Sequence, residues 1–285
     1  MPRPKKAKPS SKNSIWSVKN MSEEYQHITE DNPDAKDLWG DETERKQKFD
    51  AMTPDSFAKW LITLNAKLRG KNPALHSFDG EGIFVGNDDM VGEESVHIEH
   101  QPPDQQDKQE LLTFVLQSAQ KLSSIQDAAL LVSAGINQIH PFKDKNGTVS
   151  RLIYANLSAG SDFVKKHMKE VGGDRHNIDI GSFIPNRFLL KVAREKLGED
   201  ASDRDIRAEA VRVLCDGFRD SSIKMTNDDI PLRSFKIGEG KDISLQDYLR
   251  LATRNLVTGD LFVTRFGKNG GEELKKKEGR FGREW

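Results

Sequence analysis

The sequence predicts a mainly α fold with one β-hairpin set among its helices. Three observations carry that expectation. Apolar residues recur at helical spacing through most of the chain. Strand-like pattern is confined to one polar stretch, GIFVGNDDMVGEESVHIEHQPP at 82–103. The segment IQDAALLVSAGINQI at 125–139 is apolar almost all round, as a central buried helix must be.

Residues 1–40 are rich in Pro, Ser, Lys, Asp and Asn and lack sustained periodicity, which predicts a basic, polar and partly disordered tail. Trp16 and Trp39 are its candidate contacts with a domain. Thr53-Pro54 opens the first helix, since Thr suits the N-cap and Pro the first helical position. Phe57, Trp60, Leu61, Leu64 and Leu68 then recur on one face, and Gly70 ends the run. The hairpin is expected as short strands at 83–85 and 95–98 around a Gly/Asp/Asn-rich turn. Pro102-Pro103 closes it and opens a helix carrying Leu111, Leu112, Val115, Leu116 and Leu122 on its inner face. The central helix must stop at His140, because the residue before Pro141 is pushed out of helical geometry. Helices are expected beyond it at 148–158, 162–171, 183–197, 203–218 and 244–258, with everything outside the hairpin helical. The domain therefore spans 41–260, with the hairpin at about 82–101, and 261–285 form a charged tail.

A chain of 285 residues can bury a sizeable core, and 35% hydrophobic against 31% charged residues describes a rather polar protein. Lys plus Arg number 44 and Asp plus Glu 45, so the whole is neither a polybasic nucleic-acid binder nor an acidic solvating chain. The charge is local instead. MPRPKKAKPSSK carries five basic groups and no acid, whereas 79–110 holds ten carboxylates and a single lysine, Lys108. The lone Cys215 excludes an internal disulfide and a multi-cysteine zinc site, and its apolar helical surroundings predict a buried structural thiol. No stretch approaches the roughly 18 apolar residues of a membrane span, and no apolar segment follows the basic N-terminus as in a secretory signal. The expected setting is a reducing cytoplasm, from which a specialised secretion system could still export the protein.

The chemistry concentrates in one string, His140-Pro141-Phe142-Lys143-Asp144-Lys145-Asn146-Gly147-Thr148-Val149-Ser150-Arg151. A buried helix ends at His140 and another starts near Gly147, so the loop is held at both ends. The new helix offers backbone amides from Gly147, Thr148 and Val149 and the positive end of its dipole, an anion site. Asn146 can cap it, and Gly147 lets a phosphate approach the backbone. Arg151, four residues on, can pair with a second phosphate. Asp144 is a hard oxygen ligand of the kind that holds magnesium together with substrate phosphates. His140 can take a proton from an attacking hydroxyl near neutral pH. Phe142 is the expected anchor of the loop to the core. Singly, each has a plainer role: an Asn-Gly turn, a histidine complementing a helix dipole, a solvated loop charge. Their order and spacing together describe transfer of a phosphate-bearing group from a nucleotide.

The string resembles the Fic (Fic/Doc) signature, His-Pro-Phe-x-Asp/Glu-Gly-Asn-Gly-Arg-x-x-Arg, at His140, Pro141, Phe142, Asp144, Asn146, Gly147 and Arg151. The resemblance extends over about residues 50–255. It implies a helical bundle with a β-hairpin flap that docks the target protein. It also implies transfer of AMP from ATP and Mg2+ to a Ser, Thr or Tyr hydroxyl. In that family the histidine is the base, the acidic residue holds the metal and Asn-Gly forms the anion hole. Two positions depart from the signature: Lys145 stands for its first glycine and Thr148 for its first arginine, which normally pairs with the triphosphate. Lys145 supplies a positive charge nearby without the planar fork of an arginine. Members altered here transfer a phosphoryl group, UMP or phosphocholine.

Many members are inhibited by a glutamate in the pattern Ser/Thr-x-x-x-Glu-Gly/Asn. Ser77 to Gly82 fits those letters with Glu81 as the possible inhibitory residue, although Asp79-Gly80 argues against a helix there. The expected alternative is a separate inhibitory protein. His97 and His100 point to opposite faces of a strand and make no chelating pair. The rival to catalysis is a degenerate Fic domain that binds a nucleotide or a partner protein, with Lys145 and Thr148 as its support. Nucleic acid is not the expected partner.

Overall fold

The computed structural model describes residues 41–80, 85–91, 94–150, 152–154, 156–158, 184–231, 237–238 and 240–258. They form a mainly helical fold. Helices α1 (Glu42–Asp50) and α2 (Pro54–Leu68) precede a hairpin of β1 (Val85–Val91) and β2 (Glu94–His100). Then come α3 (Lys108–Gln120), α4 (Ile125–Ile139) and α5, the helical residues 146–150, 152–154 and 156–158. Helices α6 (Asn186–Leu197), α7 (Asp203–Arg219) and α8 (Leu245–Thr258) complete the chain order, with β3 (Lys224–Met225) and β4 (Ile243–Ser244) between the last two.

The first helix of the expected pattern starts as its cap requires. Thr53 Oγ1 accepts from the Ser56 amide and Ser56 Oγ from the Thr53 amide, a reciprocal capping box. Phe57, Trp60, Leu61 and Leu64 are buried beneath it. The core centres on α4, which has no polar face: every residue from Ala128 to Ile139 is buried. At Gly135 an added Cβ would lie 2.6 Å from Val115 Cγ1, so α3 and α4 pack closely only because that carbon is missing.

Helices α4 and α5 are also locked by a buried polar clasp. Ser133 Oγ donates to the Ser150 carbonyl (3.0 Å), Ser150 Oγ donates back to the Ser133 carbonyl (2.9 Å), and Asn137 Nδ2 donates to Ser150 Oγ (2.6 Å). Breaking one such buried bond leaves a polar group unpaired, at about 1–3 kcal/mol. The clasp therefore fixes the relative position of the two helices that flank the His140 loop. Arg45 of α1 holds the far end of α5, its Nε donating to the Leu157 carbonyl at 3.1 Å.

Several expectations change. β1 takes in Gly86 to Val91, the stretch expected as a turn, because backbone pairing runs unbroken from Val85↔His100 to Val91↔Glu94. Continuous pairing outweighs the weak strand propensity of Asn and Asp. β3 and β4 form a second, very short antiparallel pair, so the hairpin is not the sole departure from helix. Helix α1 was not expected, and α6 begins at Asn186 rather than 183. Cys215 is buried as expected, and burial pushes its thiol up to about 12. The tails at 1–40 and 261–285, Trp16, Trp39, Ile83, Glu81, Arg151 and the helix expected at 162–171 lie outside the described residues. No helix among the described residues is long and apolar enough to cross a membrane.

Candidate active site

Helix α4 ends at Ile139, and His140 turns the chain with φ 50° and ψ 60°, a left-handed conformation. Its amide still donates to the Ile136 carbonyl, at 2.9 Å. The His140 carbonyl is met by a buried cation: Lys108 Nζ donates to it at 2.8 Å and to the Gly80 carbonyl at 2.9 Å. Lys108 is fully buried. Burial draws its pKa down to about 8, while Asp104 and Asp79 pull the other way. An ammonium group at this point also complements the C-terminal end of the α4 dipole.

The segment 76–80 straps the loop from the other side. Phe142 is fully buried, with the His76 ring stacked on it (centroids 5.8 Å apart) and Phe78 tilted against it (5.4 Å). The Gly80 amide donates to the Pro141 carbonyl at 2.9 Å. A Cβ at Gly80 would lie 2.8 Å from both Lys108 Nζ and the Pro141 carbonyl carbon, so only glycine permits this approach. Asp79 Oδ1 accepts from the Lys143 amide at 3.0 Å, while Arg69 Nη1 binds both Asp79 oxygens at 2.9 and 2.7 Å. Burial works to raise the Asp79 pKa, but the Lys143 amide and the Arg69 guanidinium outweigh it and hold the carboxyl below its usual range.

Asn65 and Asn146 complete the bracing. The Asn65 Nδ2 group donates to the Asp144 carbonyl at 2.8 Å, and its Oδ1 lies 2.8 Å from His76 Nε2. With Oδ1 as acceptor, the His76 proton resides on Nε2. Burial lowers the His76 pKa and Lys71 and Arg69 act with it, against the pull of Asp79, so the ring is neutral. Asn146 is buried and closes the loop on itself: its Oδ1 accepts from the Phe142 amide (2.9 Å) and its Nδ2 donates to the Phe142 carbonyl (2.6 Å).

That arrangement corrects two expectations. Helix α5 starts at residue 146, within the string, and the Val149 amide donates to the Lys145 carbonyl at 2.9 Å. Val149 is thus the first rung of the helix and not an anion donor; the first-turn amides belong to Asn146, Gly147 and Thr148. The Asn146 side chain is committed to Phe142, so any part it takes in an anion site is through its backbone. Asp144 is exposed, with Oδ1 accepting from the Lys145 amide at 2.8 Å. Lys145 has φ 70°. Thr148 is buried, at 3% exposure. Residues 76–80 are not helical, so the Ser77–Gly82 pattern is not part of an inhibitory helix over that stretch.

The residues that sequence reasoning missed are the supports: Asn65, His76, Asp79, Lys108 and His100. Two of them carried a signal. Lys108 is the lone lysine of an acidic stretch, and Asn65 interrupts the apolar face of α2 between Leu61 and Leu68. His100 ends β2 with its ring centroid 5.3 Å from that of His140, and nothing in the strand pattern announces this contact. Among the described residues no group of three or more His, Cys, Asp or Glu is placed to hold a metal. A magnesium ion shared with phosphates needs only one or two carboxylates from the protein, and the open side chain of Asp144 fits that use. A groove of about 540 Å3 between α2 and the turn at Pro73–Leu75 reaches His76 and no other residue of the loop or its supports. Neither models of protein families nor curated protein sequences give a match to this chain.

Proposed function

We propose that the chain is a Fic-type transferase that moves AMP from ATP to a Ser, Thr or Tyr hydroxyl of a target protein. One observation carries the reading: the sequence from His140 to Arg151 follows the order of the Fic signature, and its described part, 140–150, spans the junction of two buried, clasped helices. His140 is the base. Gly147 and its neighbours at the start of α5 receive phosphate, with Arg151 and Lys145 as further cationic contacts. Asp144 would hold Mg2+, which when bound neutralises charge on the phosphates. The target hydroxyl oxygen forms a bond to the α-phosphorus, the bond to the β-phosphate oxygen breaks, and pyrophosphate leaves. The hydroxyl proton goes to His140. The β1–β2 hairpin is the docking flap for the target, and inhibition falls to a separate protein.

The backbone at Lys145 supports this reading. Its positive φ is the conformation that glycine favours, and glycine is the residue of the signature at this position. The lysine therefore leaves a glycine-like loop path in place. The test is incubation of the protein with cell lysate and ATP labelled at the α or the γ position, with UTP and GTP in parallel. Covalent label from α-labelled ATP alone is the expected result. No label, or label from the γ position, contradicts AMP transfer.

A second reading rests on Thr148. A buried threonine replaces the arginine that pairs with the triphosphate, which favours a degenerate domain that binds a nucleotide or a protein, or transfers another phosphate-containing group. Saturable ATP binding with no covalent label from any nucleotide would favour the binding module; label from UTP or from a γ-phosphate would favour the altered transferase.

A further inference from the structure

Next to His140 stands a second imidazole that neither the loop nor the core accounts for. His100 is the last residue of β2, only 9% exposed, and its ring centre lies 5.3 Å from that of His140 with the planes inclined by 45°. At that separation one nitrogen of each ring can come within hydrogen-bond distance, about 3 Å. His100 Nε2 is buried without a partner, and so is Asn186 Oδ1 of α6. Buried polar atoms are rarely left so without a purpose. Asn186 is near enough to act on the His100 ring as a hydrogen-bonding side chain, yet neither atom completes a bond of good geometry.

The charge state of His100 is set by its surroundings. Burial lowers its pKa to about 3, His140 in its protonated form and Lys108 on α3 push the same way, and Asn186 on α6 opposes them. At neutral pH the ring is therefore uncharged, an apolar-buried group that still offers a donor and an acceptor nitrogen. A base that takes a proton during reaction gains from a neighbour that fixes its tautomer and accepts a hydrogen bond from its charged form. A carboxylate does this in the Ser-His-Asp arrangement. Among the described residues no carboxylate acts on the His100 ring.

We infer that His100 is a positioning residue for His140: its imidazole holds the His140 ring in one orientation and one tautomer, and accepts a hydrogen bond from it once His140 has taken a proton. The inference rests on the reading of His140 as the base. It makes the hairpin a direct support of the base, because the strand that ends in His100 sets where that ring stands.

The test is nitrogen-15 NMR of the histidine rings in the full chain across pH, with His140→Gln used to assign the His140 signals. In the wild-type protein, neutral His140 is expected in one dominant tautomer. A tautomer ratio matching that of a free histidine side chain measured under the same conditions overturns the inference without any variant at His100. His100→Phe keeps a buried ring but no nitrogen. It is expected to lower the His140 midpoint by about one pH unit, a tenfold change in its proton affinity, and to mix the tautomers. His100→Gln, which keeps an acceptor, is expected to recover part of the shift. In the labelled-ATP assay His100→Phe should lower kcat and leave the nucleotide KM unchanged. Identical His140 midpoints and tautomers in wild type and His100→Phe, with both proteins folded by circular dichroism, overturn it. The two readings fail separately. Ring coupling without any covalent label removes the transferase and keeps the pairing; label without ring coupling removes only the role of His100.

Discussion

The two halves of the loop between α4 and α5 are held in different ways. From His140 to Lys143 the backbone is tied down from several directions: Lys108 on the His140 carbonyl, Gly80 on the Pro141 carbonyl, Asn146 on both groups of Phe142, Asp79 on the Lys143 amide. From Asp144 onward the backbone bonds among the described residues are Lys145 on Asp144 Oδ1, the first rung of α5, and Asn65 on the Asp144 carbonyl. The difference fits a division of labour. On the proposed transferase reading, a base must be set to within a fraction of an ångström of the hydroxyl it serves, and a braced backbone suits that role. A phosphate site needs amides and a carboxylate still open to a ligand, and ties there would occupy them.

The largest expected effect comes from the braced half. His140→Ala should lower transfer by roughly a hundred- to ten-thousandfold, the usual contribution of general base catalysis, and leave nucleotide affinity nearly intact. Asp144→Ala, in the open half, should weaken both, measured by single-turnover labelling and by ATP titration with magnesium. Equal loss of binding from the two variants would make His140 a structural residue.

Next in size is the brace itself. Lys108→Met removes the one donor shared by the His140 and Gly80 carbonyls and should cost about 1–3 kcal/mol in a denaturant melt. Lys59→Met, at an exposed position on α2, should stay within about 0.5 kcal/mol. Similar losses from both would erase the contrast between strapped backbone and solvated side chains.

Lys145→Gly sharpens the comparison from the other side. Relief of the left-handed backbone at φ 70° should raise stability by about 1 kcal/mol. If Lys145 also stands in for the missing arginine, the same change should weaken ATP binding even as the protein becomes more stable. Thr148→Arg is expected to restore a charge-assisted bond to phosphate, about 1.5–3 kcal/mol or at least tenfold in affinity. It should do so with some loss of stability, since the site is buried. Both changes leaving ATP affinity untouched would mean the donor does not bind as a triphosphate in this loop.

The smallest effect is acid sensitivity through Asp79. Its folded-state pKa lies below the unfolded value, so its contribution to stability is present above about pH 4 and fades as pH falls through the folded value. With 30% of the side chain exposed, this contribution is below about 1 kcal/mol. Asp79→Asn should lower stability by up to that amount near pH 7 and flatten the profile below about pH 4, where variant and wild type converge.

Much of the helical frame was legible in the sequence, because α2, α3, α4 and α7 each carry a long apolar period, and α2, α4 and α7 have clear N-caps. The helix start after Asp144 could be read for the same reason: a buried run on each side leaves the loop one place to go. The length of β1 could not, since pairing with β2 and not side-chain type makes Asn87 to Asp89 a strand. Nor could the supports of the site. Asn65, Asp79, Lys108 and His100 lie 35 or more residues from the residues they brace or are separated from them by whole elements, and single polar residues carry no periodicity. Their roles come only from tertiary contact.

The central claim, that the start of α5 beside His140 receives a nucleotide phosphate, is tested most directly by titrating ATP with magnesium into nitrogen-15-labelled protein. The account predicts saturable amide shifts centred on Gly147 and its immediate neighbours, strongly weakened in Asp144→Ala and preserved in His140→Ala. Shifts centred instead on the groove at Ile62, Ala74 and His76, or no saturable shift at all, would contradict it.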